Sequence, residues 1–434
     1  MSGMTELKKA LLSTDAAPLI GVDIDSMLNE ELLKIQPLTE LLPVVPAGAK
    51  THEYNLRTSH PLAWFEGEAS GANNKNSSYQ RKSVMLKIAR IWGEVTGFTQ
   101  AVSEKFIDAL ASELTGSLEG MSNLIEYGAL WGASNDIGFS GDAYQFSGII
   151  PNVLANATSN VIDGGGNKIE LAELDVAINK ISRFRQTRND PRMFFMGQQM
   201  RQVVDGLQTK IQLPLSGATL LDGRVTMAAY GSTPIFESDF LVPEDTSSSP
   251  TVSGSIAAGG ALADGTYQYK ISSVTIYGEQ VAGTASGNVV AATTNKKGEL
   301  TWTGDNAAVS YMIWRKLGAG DFQLLDIIPA LTYNASGEIT GKVETYTDDG
   351  SRTVKAVKPL ASGEQNIVIA NMNPERGAAF LGLVDDMGQR VDSLVSFVEL
   401  ARTKDAYAYM LKSYFALRMK YANLFAVLRH VKLS

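Results

Sequence analysis

The sequence contains no cysteine and only three histidines among its 434 residues. The absence of cysteine excludes disulfides, thiolate metal sites, iron–sulfur clusters and cysteine nucleophiles. The histidines, His52, His60 and His430, are too few and too scattered to form a histidine-rich metal centre. We therefore expect no metal and no cofactor, and we expect His52 and His60 to be polar surface residues.

The sequence also lacks long apolar runs and catalytic motifs. No run of 18 apolar residues occurs, which predicts a chain without a membrane span. The first twelve residues lack the apolar core of a secretory signal. No GxSxG, HExxH or P-loop motif is present, and the glycine run at residues 163–167 has the wrong spacing for a phosphate loop, so we predict a plain turn there. These absences predict a protein that is not an enzyme and has no catalytic residues.

Charge is plentiful and slightly unbalanced. The chain has 38 basic and 46 acidic residues. Its net charge of −8 argues against nucleic-acid binding by the surface of the chain as a whole. Residues 401–434 differ, because they carry seven lysines and arginines against one acid, Asp405. This segment could face nucleic acid or an acidic partner surface, or it could be a solvated strand face. The candidate residues for contact with nucleic acid are Lys412, Arg418, Lys420 and Arg429.

The N-terminal part of the sequence indicates an arm followed by a long two-stranded ribbon. Prolines break the arm repeatedly, which favours extended backbone. Residues 50–58 and 79–95 form the predicted strands, with Val84, Leu86 and Ile88 alternating with their neighbours at period two. The connection between the strands is small, polar and rich in glycine, which predicts a flexible tip. Because an isolated hairpin is marginal in water, we expect the ribbon to lie on another surface or on a neighbouring subunit.

The segment after the ribbon has the strongest helical pattern. Apolar residues recur every four positions from Phe98 to Leu118, which predicts one long helix over residues 98–131. Residues 136–245 have mixed α/β character. There we predict a helix near residues 171–181, a buried strand at 191–196, a second helix at 198–207 and a strand at 233–241.

Composition changes sharply near residue 245. Residues 246–358 consist almost entirely of short strand patterns separated by Gly, Asn and Asp turns, which is typical of a β-sandwich. A core strand follows at residues 366–370, and the chain ends in apolar runs through residue 431. An all-β block that interrupts an α/β domain indicates an insertion, and insertions are tolerated at exposed loop tips.

The order of these parts resembles the tailed-phage major capsid proteins with the Hong-Kong-97-like fold. The residues that carry the resemblance are the ribbon around 64–68, the helix at 98–131, the strand and helix at 193–207, the strand at 231–236 and the closing segment at 413–428. The resemblance implies an α+β fold. Its parts would be an N-terminal arm (1–47), an E-loop (48–97), a spine helix with the first part of the P-domain (98–135), an A-domain (136–245), the insertion (246–358), the return of the A-domain (359–385) and the C-terminal part of the P-domain (386–434).

The inserted block resembles a fibronectin-III or immunoglobulin-like sandwich. Residues 299–303 are similar to the tryptophan strand of that module, and residues 311–315 and 321–325 are similar to its Tyr-x-Val-Tyr-Arg strand and hairpin partner. Residues 346–350 are similar to its closing turn. Because the chain has no cysteine, the block departs from immunoglobulin domains that have an intersheet disulfide, and its core must rest on packing alone.

The capsid resemblance implies a major capsid protein of a tailed bacteriophage. Such a protein assembles with itself as pentamers and hexamers into the icosahedral shell around the genome, and the sandwich would lie on the outer surface. The implied partners are scaffolding, portal and decoration proteins and non-specifically contacted double-stranded DNA, without a membrane. The implied location is the virion capsid, made and assembled in the host cytoplasm. The candidate assembly residues of the E-loop are Trp64, Phe65, Glu66, Glu68, Lys75 and Arg81.

Two further hypotheses remain open at the level of sequence. One is an encapsulin-like compartment shell of the same fold, which would enclose cargo enzymes instead of DNA. The other, from a different class, is a surface-binding protein built around the β-sandwich, against which the missing signal peptide and missing repeats count. Some capsid proteins of this family crosslink an E-loop lysine to an asparagine, but no partner for Lys75 can be placed in this sequence.

Overall fold

The computed structural model describes residues 35–63, 65, 76–103, 108–182, 190–211, 219–221, 224–226, 229–231, 233–243, 249–383, 395–400 and 404–433. Most of the predicted arm and the centre of the ribbon tip lie outside the described residues. Within the described ranges, no helix is both long enough and apolar enough to span a bilayer.

The described chain contains six α-helices and twenty-five strands. The helices are α1 (Pro37–Leu41), α2 (Gly97–Ser103), α3 (Ala109–Trp131), α4 (Ile149–Asn156), α5 (Leu171–Ser182) and α6 (Gln198–Ile211). The strands before the insertion are β1 (Val44–Ala47), β2 (Thr51–Ser59), β3 (Ser78–Met85), β4 (Lys87–Thr96), β5 (Val161–Lys168), β6 (Arg192–Met196), β7 (Thr219–Leu221), β8 (Arg224–Thr226), β9 (Ala229–Tyr230) and β10 (Thr233–Glu237).

The remaining strands belong to the insertion and to the C-terminal part of the chain. Those of the insertion are β11 (Ser253–Ala257), β12 (Gly265–Thr275), β13 (Gly278–Glu279), β14 (Val289–Ala291), β15 (Lys297–Thr301), β16 (Ala308–Leu317), β17 (Gln323–Pro329), β18 (Leu331–Tyr333), β19 (Ile339–Lys342) and β20 (Thr345–Asp348). They are followed by β21 (Glu364–Asn371), β22 (Ala378–Leu383), β23 (Ser396–Glu399), β24 (Ala406–Met419) and β25 (Ala426–Lys432).

The ribbon leads directly into the first body sheet. β2 and β3 pair antiparallel from Thr51↔Met85 outward, and β4 then pairs with β24 over ten residues, from Lys87↔Phe415 to Thr96↔Ala406. On its other side β24 pairs with β22 and β23, and β22 pairs in parallel with β1. The predicted two-stranded ribbon is therefore present, and it extends from a five-stranded sheet.

The helix predicted in one piece over residues 98–131 is divided in two. Asp108 has an extended backbone conformation, and its carboxylate accepts a hydrogen bond from the Ala111 N–H at 3.1 Å, so a new helix begins there. The side chain of Gln100 on α2 donates to Asp108 and accepts from the Leu110 N–H, which ties the two helices together. The periodic apolar stripe continues through the break, which is why the sequence pattern alone did not reveal it.

Helix α3 covers one face of the first body sheet. The hydroxyl of Tyr409 on β24 donates to the Glu113 carbonyl at 3.0 Å and lies 2.8 Å from the hydroxyl of Ser117. The C-terminal half of α3 is buried from Ile125 to Trp131, where it enters the main core. The long helix thus fixes the sheet that carries the ribbon.

A second body sheet has the order β5-β25-β21-β6-β10-β9. Helices α5 and α6 pack on it around a core that includes Leu174, Phe194, Met200 and Leu428. The predicted helix at 171–181, strand at 191–196, helix at 198–207 and core strand at 366–370 are all present in this layer, and the strand predicted to 241 ends at Glu237. The segment from Asp239 to Leu241 is instead a turn of 3₁₀ helix.

The glycine run predicted to be a turn lies inside strand β5. In the pairing of β5 with β25, the three glycines at 164–166 bulge out opposite the single residue His430, whose φ is 58°. A Cβ atom on Gly164 would lie 3.0 Å from the His430 carbonyl oxygen, and Gly165 has a φ of 67°. The glycines therefore permit a close approach of two backbones at a bulge, a requirement that resembles a turn in sequence.

The insertion is all-β, as predicted, with two sheets around a shared core. A three-stranded sheet has the order β11-β15-β20, and a five-stranded sheet has the order β13-β12-β16-β17 with β14 on β12. Tyr269, Ile313 and Leu325 are among the residues buried between them, and Trp302 packs edge-on against Tyr311 with ring centroids 5.5 Å apart. The likeness to a fibronectin-III or immunoglobulin-like module stays a prediction.

The other face of the five-stranded sheet is buried against the body. Met312, Trp314 and Ile327 belong to the same core as Trp131 and Phe425. The sequence predicted an insertion at an exposed loop tip, but this block shares its hydrophobic core with the domain that it interrupts. Polar contacts extend the attachment, since Arg352 donates to the Gly138 carbonyl and to the Ser140 hydroxyl, at 3.0 and 2.7 Å.

Candidate assembly surfaces

The ribbon has little support from its own body. Of the nine residues of β2 only Leu56 is buried, and no residue of β3 is buried. At its base the hydroxyl of Tyr54 donates to the Met419 carbonyl at 3.2 Å. A two-stranded ribbon with both faces mostly in water gains little from packing, so its stabilising surface must come from elsewhere.

The predicted E-loop residues fall into two groups. Arg81 lies on β3, where it forms an exposed ion pair with Glu53 at 3.3 Å. Phe65 is described and fully exposed. The other four candidates, Trp64, Glu66, Glu68 and Lys75, lie outside the described residues, so their roles stay predictions.

An open face of the first body sheet was missed by sequence reasoning. Ile88 and Trp92 on β4 are 56% and 63% exposed, on the face opposite to the one that α3 covers. The sequence pattern placed Ile88 on one face with Val84 and Leu86, but strand pairing is interrupted at Leu86 and the alternation shifts by one residue. Exposed apolar side chains grouped on a sheet face are typical of an interaction surface.

The four candidate genome-facing residues do not share one surface. Arg429 is completely buried and forms an ion pair with Glu279 of the insertion at 2.8 Å. Arg418 is 5% exposed. The prediction for these two arginines is wrong, because neither guanidinium is accessible to a DNA backbone. Lys412 and Lys420 are partly exposed, and the ammonium of Lys412 lies 5.2 Å from the ring of Tyr414.

Arg418, His52 and Lys420 form what we call the ribbon-base cation cluster. Nη1 of Arg418 lies 3.4 Å from Nε2 of His52, and Nη2 donates to the Pro374 carbonyl. Burial lowers the pKa of all three groups, and the charge of Arg418 lowers the pKa of His52 and Lys420 further. His52 was predicted to be a plain surface residue, but it is half-buried against two cations.

A second charged cluster joins the insertion to the body. The bulge at His430 directs its ring between the Glu364 carboxylate, 2.7 Å from Nδ1, and the Lys358 carbonyl, 3.1 Å from Nε2. The ammonium of Lys358 bridges Asp321 and Asp163, from the insertion and from β5, at 3.2 and 3.6 Å. This cluster fixes the return of the chain from the insertion.

A buried carboxylate holds the first described segment of the chain. Glu126 on α3 accepts hydrogen bonds from the Leu38 N–H, the Thr39 N–H and the Thr39 hydroxyl, at 3.2, 2.9 and 3.1 Å. Burial raises the pKa of Glu126 to about 7, because the three hydrogen bonds only partly compensate the carboxylate for lost water. The five-residue helix α1 is thereby attached to α3.

Within the described ranges, no group of three or more acidic or histidine side chains is placed to hold a metal ion. The surfaces above are instead suited to association, because they combine exposed apolar residues with a ribbon that lacks its own support.

Comparison with known proteins gives these surfaces a context. The family model of the SU10 major capsid protein matches residues 27–240, which include the ribbon, α3 and most of the second body layer before the insertion. The chain is a major capsid protein with the Hong-Kong-97-like fold. A search of curated proteins finds no match to the sequence of this capsid protein.

Solved structures agree with this fold. The capsid protein is similar to an encapsulin of Synechococcus elongatus PCC 7942, with a TM-score of 0.51, 12% identity and coverage of 98% and 97% of the two chains. It is also similar to a structure from Mycobacterium phage Ogopogo, with a TM-score of 0.50, 10% identity and coverage of 97% and 99%. Because the identities are this low, the similarity between the structures shows the shared fold and no more. The family match indicates a structural role for the capsid protein.

Proposed function

We propose that this capsid protein assembles with itself as pentamers and hexamers into the icosahedral shell that encloses the genome of a tailed bacteriophage. The observation that carries the proposal is the open face of β4, where Ile88 and Trp92 are exposed beside an unsupported ribbon. Each contact between copies can be weak, since a closed symmetric assembly makes many of them at once.

The domain boundaries and their placement in the shell belong to the same proposal. We assign residues 1–47 to the arm, 48–97 to the E-loop, 98–135 and 386–434 to the P-domain, and 136–245 with 359–385 to the A-domain. The insertion, 246–358, would lie on the outer surface. The family resemblance and the position of each segment in the observed fold support this assignment.

Partners beyond a second copy are proposed on the family resemblance alone. They are scaffolding, portal and decoration proteins, and double-stranded DNA contacted non-specifically. Lys412 remains as a candidate contact to DNA, because it is partly exposed. Lys420 is also partly exposed, but its position beside the buried Arg418 favours an anionic side chain over a DNA backbone. Assembly would take place in the host cytoplasm, and the protein would have no enzymatic activity.

A compartment shell is the second candidate function. The similarity to the Synechococcus elongatus encapsulin is the observation that favours it. The two functions differ in what the shell encloses, since a phage capsid contains DNA and a compartment contains protein cargo. The SU10 family match supports the phage capsid.

The test is assembly of the full chain, with Ile88→Ser compared with Val290→Ser. Val290, on β14 of the insertion, is 53% exposed and so matches Ile88 in exposure. We expect light scattering and negative-stain electron microscopy to show closed shells or rings of five and six subunits. Ile88→Ser should weaken assembly and Val290→Ser should not. Nuclease-protected DNA in the shells would support the capsid over the compartment.

A chain that stays strictly monomeric at every concentration, with and without a co-expressed scaffold, would contradict the proposal. The surface-binding hypothesis built on the β-sandwich would then be preferred. If the two serine variants assemble equally well, shell formation is still supported, but the open face of β4 makes no contact that assembly requires.

A further inference from the structure

Arg418 is a buried cation without a matching anion. Its guanidinium contacts His52 and the Pro374 carbonyl, and no carboxylate among the described residues forms an ion pair with it. Arginine is almost never buried this deeply unless it is paired, because a charge removed from water requires compensation. Its Nε atom is also buried without a hydrogen-bond partner in the described part of the chain.

No neighbour of Arg418 balances its charge: Lys420 adds a second positive charge, and His52 faces the guanidinium as a neutral imidazole whose Nε2 can accept from Nη1. His52 and Lys420 lie beside it, and the lowered pKa of each follows from burial and from the nearby guanidinium. Glu375 acts on Lys420 and Asp136 acts on Tyr54, but neither carboxylate pairs with a member of the cluster. The cluster therefore holds concentrated positive charge at the point where the ribbon leaves the body.

We propose that the ribbon-base cation cluster of one copy receives a carboxylate from a second copy of this chain when the shell forms. The inference rests on the proposed function, because it needs contact between copies. A carboxylate seated against Lys420 and His52 would compensate the charge of Arg418 beneath them, and it would attach the neighbour at the base of the ribbon.

Charge complementarity favours a second copy as the occupant. The chain as a whole carries 46 acidic against 38 basic residues, so a neighbouring copy presents more carboxylates than cations. A DNA duplex fits less well, because Arg418 is recessed and only 5% exposed. A single carboxylate side chain can approach the partly exposed Lys420 and His52 beside it, whereas a rigid duplex cannot bring its phosphates onto a guanidinium this buried.

The test compares the wild-type chain with Lys420→Met, Lys420→Glu and the control Lys316→Glu. Lys316 is also partly exposed but lies on β16 of the insertion, away from the cluster. Folding stability of the unassembled chain is measured by urea unfolding, and assembly by light scattering against protein concentration and salt. We expect Lys420→Met to keep or raise folding stability, since it relieves repulsion.

The same variant should raise the concentration needed for half-maximal assembly by about tenfold or more, and Lys420→Glu should raise it further. Its assembly should also depend less on salt than that of the wild type. A merely structural lysine would lower both stability and assembly. Lys316→Glu should change neither by much.

Three results would overturn the inference, and they are distinguishable. If the wild type forms shells and both Lys420 variants assemble equally well, the proposed function survives and the cluster has no role between copies. If the variants form normal shells that contain less DNA, the cluster faces nucleic acid. If the wild type forms no shells under any condition, the proposed function itself fails.

Discussion

Glu126 shows how a single side chain couples the start of the described chain to solution pH. The carboxyl group is completely buried on α3, where it accepts the hydrogen bonds that attach the short helix α1. Its folded-state pKa of about 7 lies above the ordinary value of 4.5. The folded chain therefore binds more protons than the unfolded chain between these two values, and this contribution to stability is lost as the pH rises through 7.

We predict that Glu126→Gln flattens the pH dependence of folding stability between pH 5 and 8. Gln resembles the protonated carboxyl and cannot lose a proton. As the pH rises, the folding stability of the variant should therefore increase relative to that of the wild type, by up to about 3 kcal/mol. Urea unfolding followed by tryptophan fluorescence at four pH values measures the difference. The matched control is Glu113→Gln, an exposed position on the same helix. Parallel curves for Glu126→Gln and the wild type would refute the prediction.

Other single residues show where sequence reasoning reaches its limit. Lys412, Arg418, Lys420 and Arg429 form one basic group in the sequence, yet two of them are buried. The environment of Arg429 is created by Glu279, which is 150 positions away along the chain. No local pattern carries that information, whereas the exposure of the ribbon was predictable from its polar alternation.

At the level of elements, periodic segments were predicted correctly and interruptions were not. Helices α5 and α6 and strands β6 and β21 agree with their apolar patterns. The cap at Asp108, the shift at Leu86 and the bulge at His430 are local departures from a regular repeat, and a periodic pattern averages over them. The glycines of β5 did signal the bulge, but the same signal also describes a turn.

The ion pair between Arg429 and Glu279 joins β25 of the body to β13 of the insertion. Both side chains are completely buried. We predict that Glu279→Ala destabilises the chain by about 3–5 kcal/mol, because it leaves an uncompensated buried guanidinium. The double variant Glu279→Leu with Arg429→Met should lose much less folding stability than the single variant, since no unpaired charge remains.

Chemical denaturation of the unassembled variants measures this difference. Asp264→Ala is the control, because Asp264 forms an exposed ion pair with Lys296 and its loss should cost about 1 kcal/mol or less. If the single and double variants at the buried pair are equally unstable, packing at the junction matters and the charge pair does not.

At the scale of the whole molecule, the insertion is part of the capsid protein's main core. One face of its five-stranded sheet packs on α3 and on the strands that follow the insertion, and the other face packs inside the sandwich. The sequence predicted the all-β block and its position between two α/β segments. It did not predict the shared core, because strands buried on both faces have the same apolar pattern wherever their partners come from.

This arrangement predicts that the unassembled capsid protein unfolds in one cooperative calorimetric transition. Met312 and Ile313 are adjacent on β16 and both are buried, but Met312 belongs to the shared core and Ile313 to the core of the sandwich. Replacing either residue by Ala should lower the free energy of unfolding by about 2–5 kcal/mol. Either change should also lower the midpoint temperature of the same single transition, because neither core survives without the other. Two separate transitions, with Ile313→Ala moving only one of them, would instead show that the insertion folds as an independent module. A shared core transmits strain between its parts, so a single transition would mean that a load on the insertion also acts on α3 and the sheet that carries the ribbon.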